Sequence, residues 1–328
     1  MKVYIVSDSA IVTKAFSKIK GGKEFFLEKR SGKELKKLLG SIEGGSFLYV
    51  DIGTIKEAER KKLLKSLEKL TTCSWGIIDP KGSVKDVAEY FHAGSSDYIG
   101  KDLIKAGIDA KRVKAALLFR EPEFAESPVK KEKRDYLISG RDWKSIKAGN
   151  EYTFCLMFIE VDNKKDVKNL YGGDQVYEFL KIFQNYVQTA VAPIQGRIWM
   201  WQDWGGLILF PFDGETCDAI LASVRLVMNR HIISAEIFDI DILISYRIVL
   251  HLGNTVYNAR GETGKIISDA INSIYHLGQK FADNSNFYLT KDVADFVPKG
   301  LEKLFLPAGE YEGREILRMR LPILTVYK

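Results

Sequence analysis

Short apolar runs alternate with helical patterns over the first 120 residues. The apolar runs at 3–6, 47–50, 75–78 and 98–99 are typical of buried strands. Apolar residues recur with helical spacing at 11–19, 55–70, 84–91 and 112–119. This alternation predicts an α/β domain, a parallel sheet covered by helices on both faces. Ligands of such sheets bind at the carboxyl ends of the strands, where four polar residues follow: Asp8, Asp51, Asp79 and Lys101.

The second half of the chain has a different order of patterns. A strand at 154–161 precedes a long amphipathic helix, whose apolar face is formed by Val176, Phe179, Leu180, Phe183 and Val187. The segment 196–212 predicts a hairpin, and a helix at 219–228, a strand at 242–251 and a helix at 268–281 follow. This order predicts an α+β layer. Residues 136–150 predict a short helix ahead of it, packed through Trp143 and Ile146.

Two carboxylates mark neighbouring strand tips in this α+β layer. Glu160 ends the first strand, and Asp203 lies in the turn of the hairpin. A carboxylate at the tip of a buried hairpin costs desolvation free energy unless it faces a cation or donors. Asp is also a common turn residue, so the hairpin alone leaves Asp203 open as a plain turn residue. As a pair, the two acids have the chemistry that holds divalent metals against a triphosphate.

The segment between the two patterns differs in composition. Residues 121–134, EPEFAESPVKKEKR, contain two prolines and a charge run without apolar periodicity. This composition predicts a solvated linker. The predicted organisation is therefore a domain at 1–120, a linker at 121–134 and a second domain at 135–328.

Composition narrows the possible functions only slightly. The net charge of +6 is mild and its basic residues are dispersed, so we expect no nucleic-acid partner. No apolar run approaches the roughly 18 residues of a membrane span, and we expect no membrane partner. Cys73, Cys155 and Cys217 lack metal-site spacing, and Cys155 is expected to be a reduced core residue. These features predict a cytoplasmic protein.

Three strand motifs of the first domain carry a family resemblance. They are KVYIVSDS, FLYVDIG and GSSDYIGK. They resemble the acid-pocket, phosphoacceptor and lysine strands of response-regulator receiver domains, which have a flavodoxin-like fold. The resemblance implies that Asp51 is the phosphoacceptor, that Asp8 binds a metal and that Lys101 contacts the phosphoryl group.

The first domain also departs from the receiver pattern. Ser7 stands where receivers have a further acid, and Asp79 lies near the expected position of the switch Ser or Thr. Gly53-Thr54-Ile55 replaces the usual loop after the phosphoacceptor. A second acid near Asp51 would oppose a phosphoryl group. We therefore expect a degenerate receiver in which Asp8 and Asp51 cap strand ends.

Four segments of the second domain resemble class III nucleotidyl cyclase domains. In chain order they are MFIEV, QDWGGLILFPF, YRIVLHLG and GKIISDAINSIYHL, and the similarity runs from about 152 to 315. Diguanylate cyclases share the palm-like, ferredoxin-like core, and EVDNKKDVKNLYGGD carries a trace of them, but the hairpin lacks their signature. The resemblance implies an active site formed between two subunits, with ATP or GTP as the nucleotide.

The resemblance also assigns roles to single residues. Glu160 and Asp203 match the metal-binding acids, for Mg²⁺ or Mn²⁺, and Asn272 matches the asparagine that orients the ribose. His276 stands in place of the transition-state arginine. In the base-recognition pair, Trp199 or Met200 replaces a lysine and Lys265 replaces its acidic partner. Loss of one transition-state donor costs roughly 10²–10³ in rate. Asn272 and His276 also fit plain surface or packing roles.

These residues favour a signalling protein over a fast enzyme. We predict a degenerate receiver joined to a cyclase-homology domain that acts by dimerisation or by binding a nucleotide or partner. The dimer is either a homodimer or a heterodimer with a cyclase-type domain. The alternative is an active cyclase that makes cyclic AMP or cyclic GMP with two metal ions. A third possibility is a sensor that binds nucleotide without turnover.

Overall fold

The computed structural model describes residues 1–17, 19, 24–120, 135–162, 164–236, 244–258 and 268–322. The predicted linker at 121–134 and Lys265 lie outside these residues. The described chain forms two compact units. The first contains the described residues of Met1–Ala125, Lys299–Leu304 and Arg320–Lys328, and the second contains those of Glu126–Pro298 and Phe305–Met319. The domain boundaries drawn from the sequence stay predictions.

The first unit is a parallel sheet with connecting helices. Its strands are β1 (Lys2–Val6), β2 (Phe26–Arg30), β3 (Phe47–Asp51), β4 (Ser74–Ile78) and β5 (Asp97–Ile99). Its helices are α1 (Ala10–Phe16), α2 (Leu35–Leu39), α3 (Glu57–Glu68), α4 (Val87–His92), α5 (Lys101–Ala106) and α6 (Ala110–Leu118). The described strands pair in the order β2-β1-β3-β4-β5, the flavodoxin-like order. The expected α/β architecture is confirmed, whereas β2, α2 and α5 were not predicted.

The second unit is built on a mixed sheet. Its strands are β6 (Glu151–Val161), β7 (Arg197–Gln202), β8 (Gly205–Pro211), β9 (Tyr246–Val256), β10 (Phe287–Thr290), β11 (Phe305–Tyr311) and β12 (Arg314–Met319). Its helices are α7 (Lys164–Val191), α8 (Ala219–Met228), α9 (Arg230–Glu236), α10 (Asp269–His276) and α11 (Lys291–Ala294). The described strands pair in the order β11-β12-β10-β9-β6-β8-β7.

The core of this sheet has ferredoxin-like topology. The chain runs β6-α7-β7-β8-α8-α9-β9, and the strands lie in the order β9-β6-β8-β7 with every neighbour antiparallel. One sheet face carries Phe154, Leu156 and Phe158, which pack in one core cluster with α10 residues. A β-bulge between Ile198 and Met200 interrupts the pairing of β7, which is one edge of the sheet.

The segment before β6 does not form the predicted helix. Residues 135–150 are turns and bends, with one isolated bridge between Ile138 and Thr153. Gly140 and Gly149 have φ values of 92° and 84°, in the left-handed region that ends helices. The packing prediction is nevertheless correct, because Trp143 and Ile146 are both buried in the core of the unit.

Candidate functional site

The register of the central strands places the two predicted metal acids at one end of the second sheet. Glu160 on β6 pairs with Gly205 on β8, two residues beyond Asp203. A Cβ atom on Gly205 would lie 2.0 Å from the carbonyl oxygen of Ile159, so only glycine allows this approach. The predicted hairpin is present, but its turn consists of Asp203 and Trp204, and Gly205 lies within β8.

The hairpin turn is held against the adjoining elements of its unit. The Val161 amide donates to the carbonyl oxygen of Trp204 over 2.9 Å. The Lys168 ammonium on α7 lies 5.5 Å from the centre of the Trp204 ring, a cation–π contact. These contacts hold Trp204, the residue that follows Asp203 in the turn, whereas the Asp203 side chain is exposed. In the described part of the chain, Asp203 forms no ion pair.

Two cations of the chain itself surround Glu160. The Arg247 guanidinium on β9 donates from Nη2 to Oε2 of Glu160 over 2.5 Å, and Lys164 Nζ lies 3.0 Å from Oε1. Arg247 is the direct cross-strand partner of Glu160. The Glu160 side chain is only 14% exposed, so its charge is neutralised by these partners more than by water. Each carboxylate oxygen already has a positive partner.

Asp162 extends this ion-pair cluster. Its Oδ1 lies 3.2 Å from Nη1 of Arg247, and its Oδ2 accepts hydrogen bonds from the Ser285 amide and the Ser245 hydroxyl. Burial raises the pKa of Asp162, and the Ser285 and Arg247 contacts oppose that rise. One Arg247 guanidinium therefore joins two carboxylates that the chain brings to the same strand ends.

A tyrosine of α10 also faces Glu160. The Tyr275 ring packs edge-on against Phe158, with 5.5 Å between the ring centres. Burial, and then the charge of Glu160, raise the pKa of the Tyr275 phenol. Its buried hydroxyl has no hydrogen-bond partner among the described residues.

The residues of this site do not fit a divalent cation as they are arranged. Mg²⁺ and Mn²⁺ need free carboxylate oxygens, whereas both oxygens of Glu160 are paired with Arg247 and Lys164. No group of three or more His, Cys, Asp or Glu side chains in the described ranges is placed to hold a metal. The metal-binding roles of Glu160 and Asp203 stay predictions.

The predicted catalytic residues of α10 lie on its outer side. Asn272 and His276 are one helical turn apart and both exposed, whereas Ala270, Ile271 and Ile274 are buried. His276 Nδ1 lies 3.8 Å from Glu312, which is a weak contact. Both side chains are therefore available to a second molecule.

A cleft of about 530 Å³ lies beside β7 and is lined in part by Trp199, which falls in the register shift between Ile198 and Met200. Trp143, Arg197 and Tyr257 also line this cleft, and the Arg197 guanidinium lies 4.4 Å from the centre of a Trp143 ring. Trp199 is buried, and its indole N–H has no partner among the described residues. Met200, the other predicted base-recognition residue, is half-buried.

Asp51 and Asp8, which lie at or just after the carboxyl ends of strands in the first unit, accept hydrogen bonds from neutral donors. Asp51 accepts a 2.5 Å hydrogen bond from the Ser7 hydroxyl and a 2.8 Å bond from the Gly53 amide. Asp8 accepts from the Ser31 hydroxyl and the Gly32 amide, next to α2. Asp51 and Asp8 therefore accept hydrogen bonds from different donors and share none of them.

Asp79 and Lys101 occupy the remaining strand ends of the first unit. Asp79 is fully buried, and it accepts hydrogen bonds from Ser83, the Val84 amide and the Tyr98 hydroxyl. Lys101 begins α5 and is exposed. Among the described residues Lys101 forms no ion pair, so none joins it to Asp51. The roles predicted for these residues stay predictions.

Sequence reasoning missed Arg247 and Lys164, and it placed Asp162 at the end of the same strand as Glu160 without assigning it a role. Arg247 interrupts the apolar run of β9, and a charge inside a buried strand is a signal that a partner is needed. Lys164 is the first residue of α7, and a short connection separates it from Glu160 on β6. The pairing of Arg247 with Glu160 depends on strand register, which the sequence does not reveal.

The fold of the second unit is similar to solved nucleotidyl cyclase domains, which cover the C-terminal half of the chain. The dimeric guanylyl cyclase domain of the RhoGC fusion protein from Blastocladiella emersonii is 12% identical, with a TM-score of 0.43 over 53% of this chain and 97% of that one. For the adenylyl cyclase CyaB from P. aeruginosa the values are 11%, 0.41, 52% and 94%. For the adenylate/guanylate cyclase/hydrolase from Silicibacter pomeroyi they are 16%, 0.38, 52% and 97%.

No protein-family model and no curated protein sequence matches this chain. Within the described ranges, no helix combines the length and the apolar composition that a membrane crossing requires.

Proposed function

We propose that the chain is a two-domain signalling protein whose second domain, of cyclase type, binds a nucleotide or a partner without turning over a triphosphate. The observation that carries this proposal is the pairing of Glu160 with Arg247 and Lys164. A carboxylate that already has two cations gains little from a metal, and a metal must displace at least one of them. The metal ions that would stabilise the negative charge of a reacting triphosphate are therefore poorly held at this site.

Self-association is the second part of the proposal. Asn272 and His276 are exposed one helical turn apart, so a second molecule can contact both side chains. A second copy of this chain, or a cyclase-type partner, would bring its own strand-end acids to that side. In a homodimer, His276→Ala should weaken self-association about tenfold without unfolding the exposed helix surface, as measured by analytical ultracentrifugation. Gln279→Ala, an exposed change on the following turn, is the matched control.

One observation favours the alternative of an active cyclase. The Asp203 carboxylate is exposed, lies at the same end of the sheet as Glu160 and is not neutralised by any described residue. A cation that displaced Lys164 would find both acids available. In that case the partner subunit would have to supply the positive groups that grip the triphosphate.

A product assay separates these functions. Purified protein is incubated with ATP or GTP and Mn²⁺, and cyclic nucleotide is measured by mass spectrometry. We expect no product, together with a rise in melting temperature on adding nucleotide. Cyclic product that disappears in Asp203→Asn, but persists in the matched surface variant Asp218→Asn, would refute the non-catalytic assignment.

For the first unit we propose a receiver-like input that is not phosphorylated. The support is the distribution of its acids, because Asp8 and Asp79 are committed to separate hydrogen bonds away from Asp51. Acetyl phosphate should leave the intact mass unchanged, and beryllofluoride should leave the melting temperature unchanged. A mass gain of one phosphoryl group that is absent in Asp51→Asn would show that this unit is a working receiver.

A further inference from the structure

Two cysteines that are far apart in the sequence lie together in the second unit. The Sγ atoms of Cys155 and Cys217 are 3.3 Å apart, across 62 positions of chain. Cys155 lies in the middle of β6, with its side chain on the sheet face opposite Phe154 and Leu156. Cys217 lies two residues before Ala219, the first residue of α8, with Asp218 as the N-cap between them. Both thiols are free and buried. The expectation that Cys155 is simply a reduced core residue omits this neighbour.

We infer that Cys155 and Cys217 form a redox modification site that a peroxide closes into a disulfide. A disulfide holds its sulfurs about 2.05 Å apart, so closure requires a movement of a little over 1 Å. Such a movement is small for Cys217, since it lies in a connecting segment rather than within a strand or helix. The bond would tie β6, an interior strand of the sheet, to the segment that leads into α8.

Access for the oxidant is through Cys217. Its neighbours Thr216 and Asp218 are exposed, so a small opening of this segment brings the Cys217 sulfur to the solvent. Cys155 is shielded within the sheet, and its hydrogen bond with Cys217 and its burial raise the pKa of its thiol. Cys217 is therefore the sulfur that meets peroxide first, and Cys155 is the resolving sulfur.

The reaction has two steps. The Cys217 thiolate attacks one oxygen of hydrogen peroxide, which gives a sulfenic acid on Cys217 and a hydroxide that takes up the thiol proton as water. The sulfur of Cys155 then displaces the sulfenic hydroxyl, which leaves with the Cys155 proton as a second water. Two thiols are oxidised to one disulfide, and one peroxide is reduced to two waters.

The test uses the full-length protein, treated with hydrogen peroxide, quenched and then alkylated under denaturing conditions. We expect the protein to lose two hydrogen atoms, one thiol to remain alkylated at Cys73, and a peptide map to contain the Cys155–Cys217 link. The melting temperature should rise by about 5–15 °C and return after reduction. Cys73→Ser is the matched control and should retain the link, whereas Cys155→Ala and Cys217→Ala should lose it.

The peptide map of the wild-type chain decides the matter even if a core variant fails to fold. A map in which Cys217 is overoxidised to sulfinic acid without any link to Cys155 would overturn the inference. The same holds if all three thiols remain alkylatable, or if the link joins Cys73 to either partner. Cys73 is itself buried, and burial raises its pKa to about 11, so it is a slow competitor for peroxide.

Discussion

Both units place carboxylates at the carboxyl ends of buried strands, but the partners of those carboxylates differ. In the first unit Asp51 and Asp79 accept hydrogen bonds from hydroxyls and backbone amides, all of them neutral. In the second unit Glu160 and Asp162 share the charge of Arg247. Neutral donors orient a carboxylate and leave its charge in place, whereas a guanidinium cancels the charge. A carboxylate at a strand end can therefore keep a charge that a bound cation could neutralise, or it can be neutralised by a cation of the chain itself.

The largest expected effect comes from removing the shared guanidinium. Arg247→Leu leaves Glu160 and Asp162 without their common counter-charge, and it should lower the free energy of unfolding by about 3–5 kcal/mol. Lys164→Met is the control: Lys164 is 37% exposed, and its loss should cost no more than about 1 kcal/mol. Urea denaturation followed by the fluorescence of the second unit's tryptophans measures both. Equal effects of the two substitutions would contradict the central role of Arg247.

The affinity of the second unit for a metal tests whether Arg247 takes the place of a bound cation. If Arg247 occupies the place of a cation, Mn²⁺ should raise the melting temperature of Arg247→Leu more than that of the wild type. Arg247→Leu combined with Glu160→Gln should lose this response. An identical Mn²⁺ response in the wild type and in Arg247→Leu would show that the guanidinium does not exclude a metal.

A pair of nearly isosteric substitutions gives a smaller effect. Glu160→Gln places a neutral amide against two cations and should cost about 1–3 kcal/mol, because Arg247 and Lys164 lose charge compensation. Asp79→Asn keeps an oxygen for Val84 and Tyr98, and its amide can donate to the Ser83 hydroxyl, so it should cost less than about 1 kcal/mol. Residue-resolved hydrogen exchange reports each unit separately. A larger loss for Asp79→Asn would reverse the comparison.

The smallest expected effect is a pH dependence at Asp162. Burial raises the pKa of this carboxyl above that of the unfolded chain, so the folded state holds its proton to a higher pH. Its stabilising contribution is therefore complete below the unfolded pKa, near pH 4, and is lost as the pH rises through the folded pKa. Relative to Asp162→Asn, the wild type should lose stability between pH 4 and the folded pKa. Parallel curves for the two proteins would contradict this assignment.

The parts of the fold that were predictable have strong local patterns. The hairpin at 196–212 and the helix Ala219–Met228 follow directly from apolar periodicity and turn residues. The strands β11 and β12 were missed because their exposed positions are mixed with charges and Pro307, which weaken alternation. The helix predicted before β6 had suitable apolar residues, but Gly140 and Gly149 adopt left-handed backbone angles that do not continue a helix.

The positions of the acids in the candidate site were predictable from the sequence, but the cations that neutralise Glu160 were not. Glu160 and Asp203 could be assigned to strand tips because a strand end and a turn are local features. The pairing of Glu160 with Arg247, and of Cys155 with Cys217, joins residues 87 and 62 positions apart. Such contacts depend on register and layer order, which are set by the whole sheet. The sequence therefore indicates where the acids lie, but it does not show which residues of the chain pair with them.

The bulge in β7 has a consequence for how copies of this chain can associate. β7 borders the sheet, and a border strand with evenly spaced free amides and carbonyls recruits strands from other molecules. The shift between Ile198 and Met200 breaks that spacing, so an incoming strand cannot continue the ladder past it. Growth of the sheet into a fibre by strand addition is therefore opposed at this border.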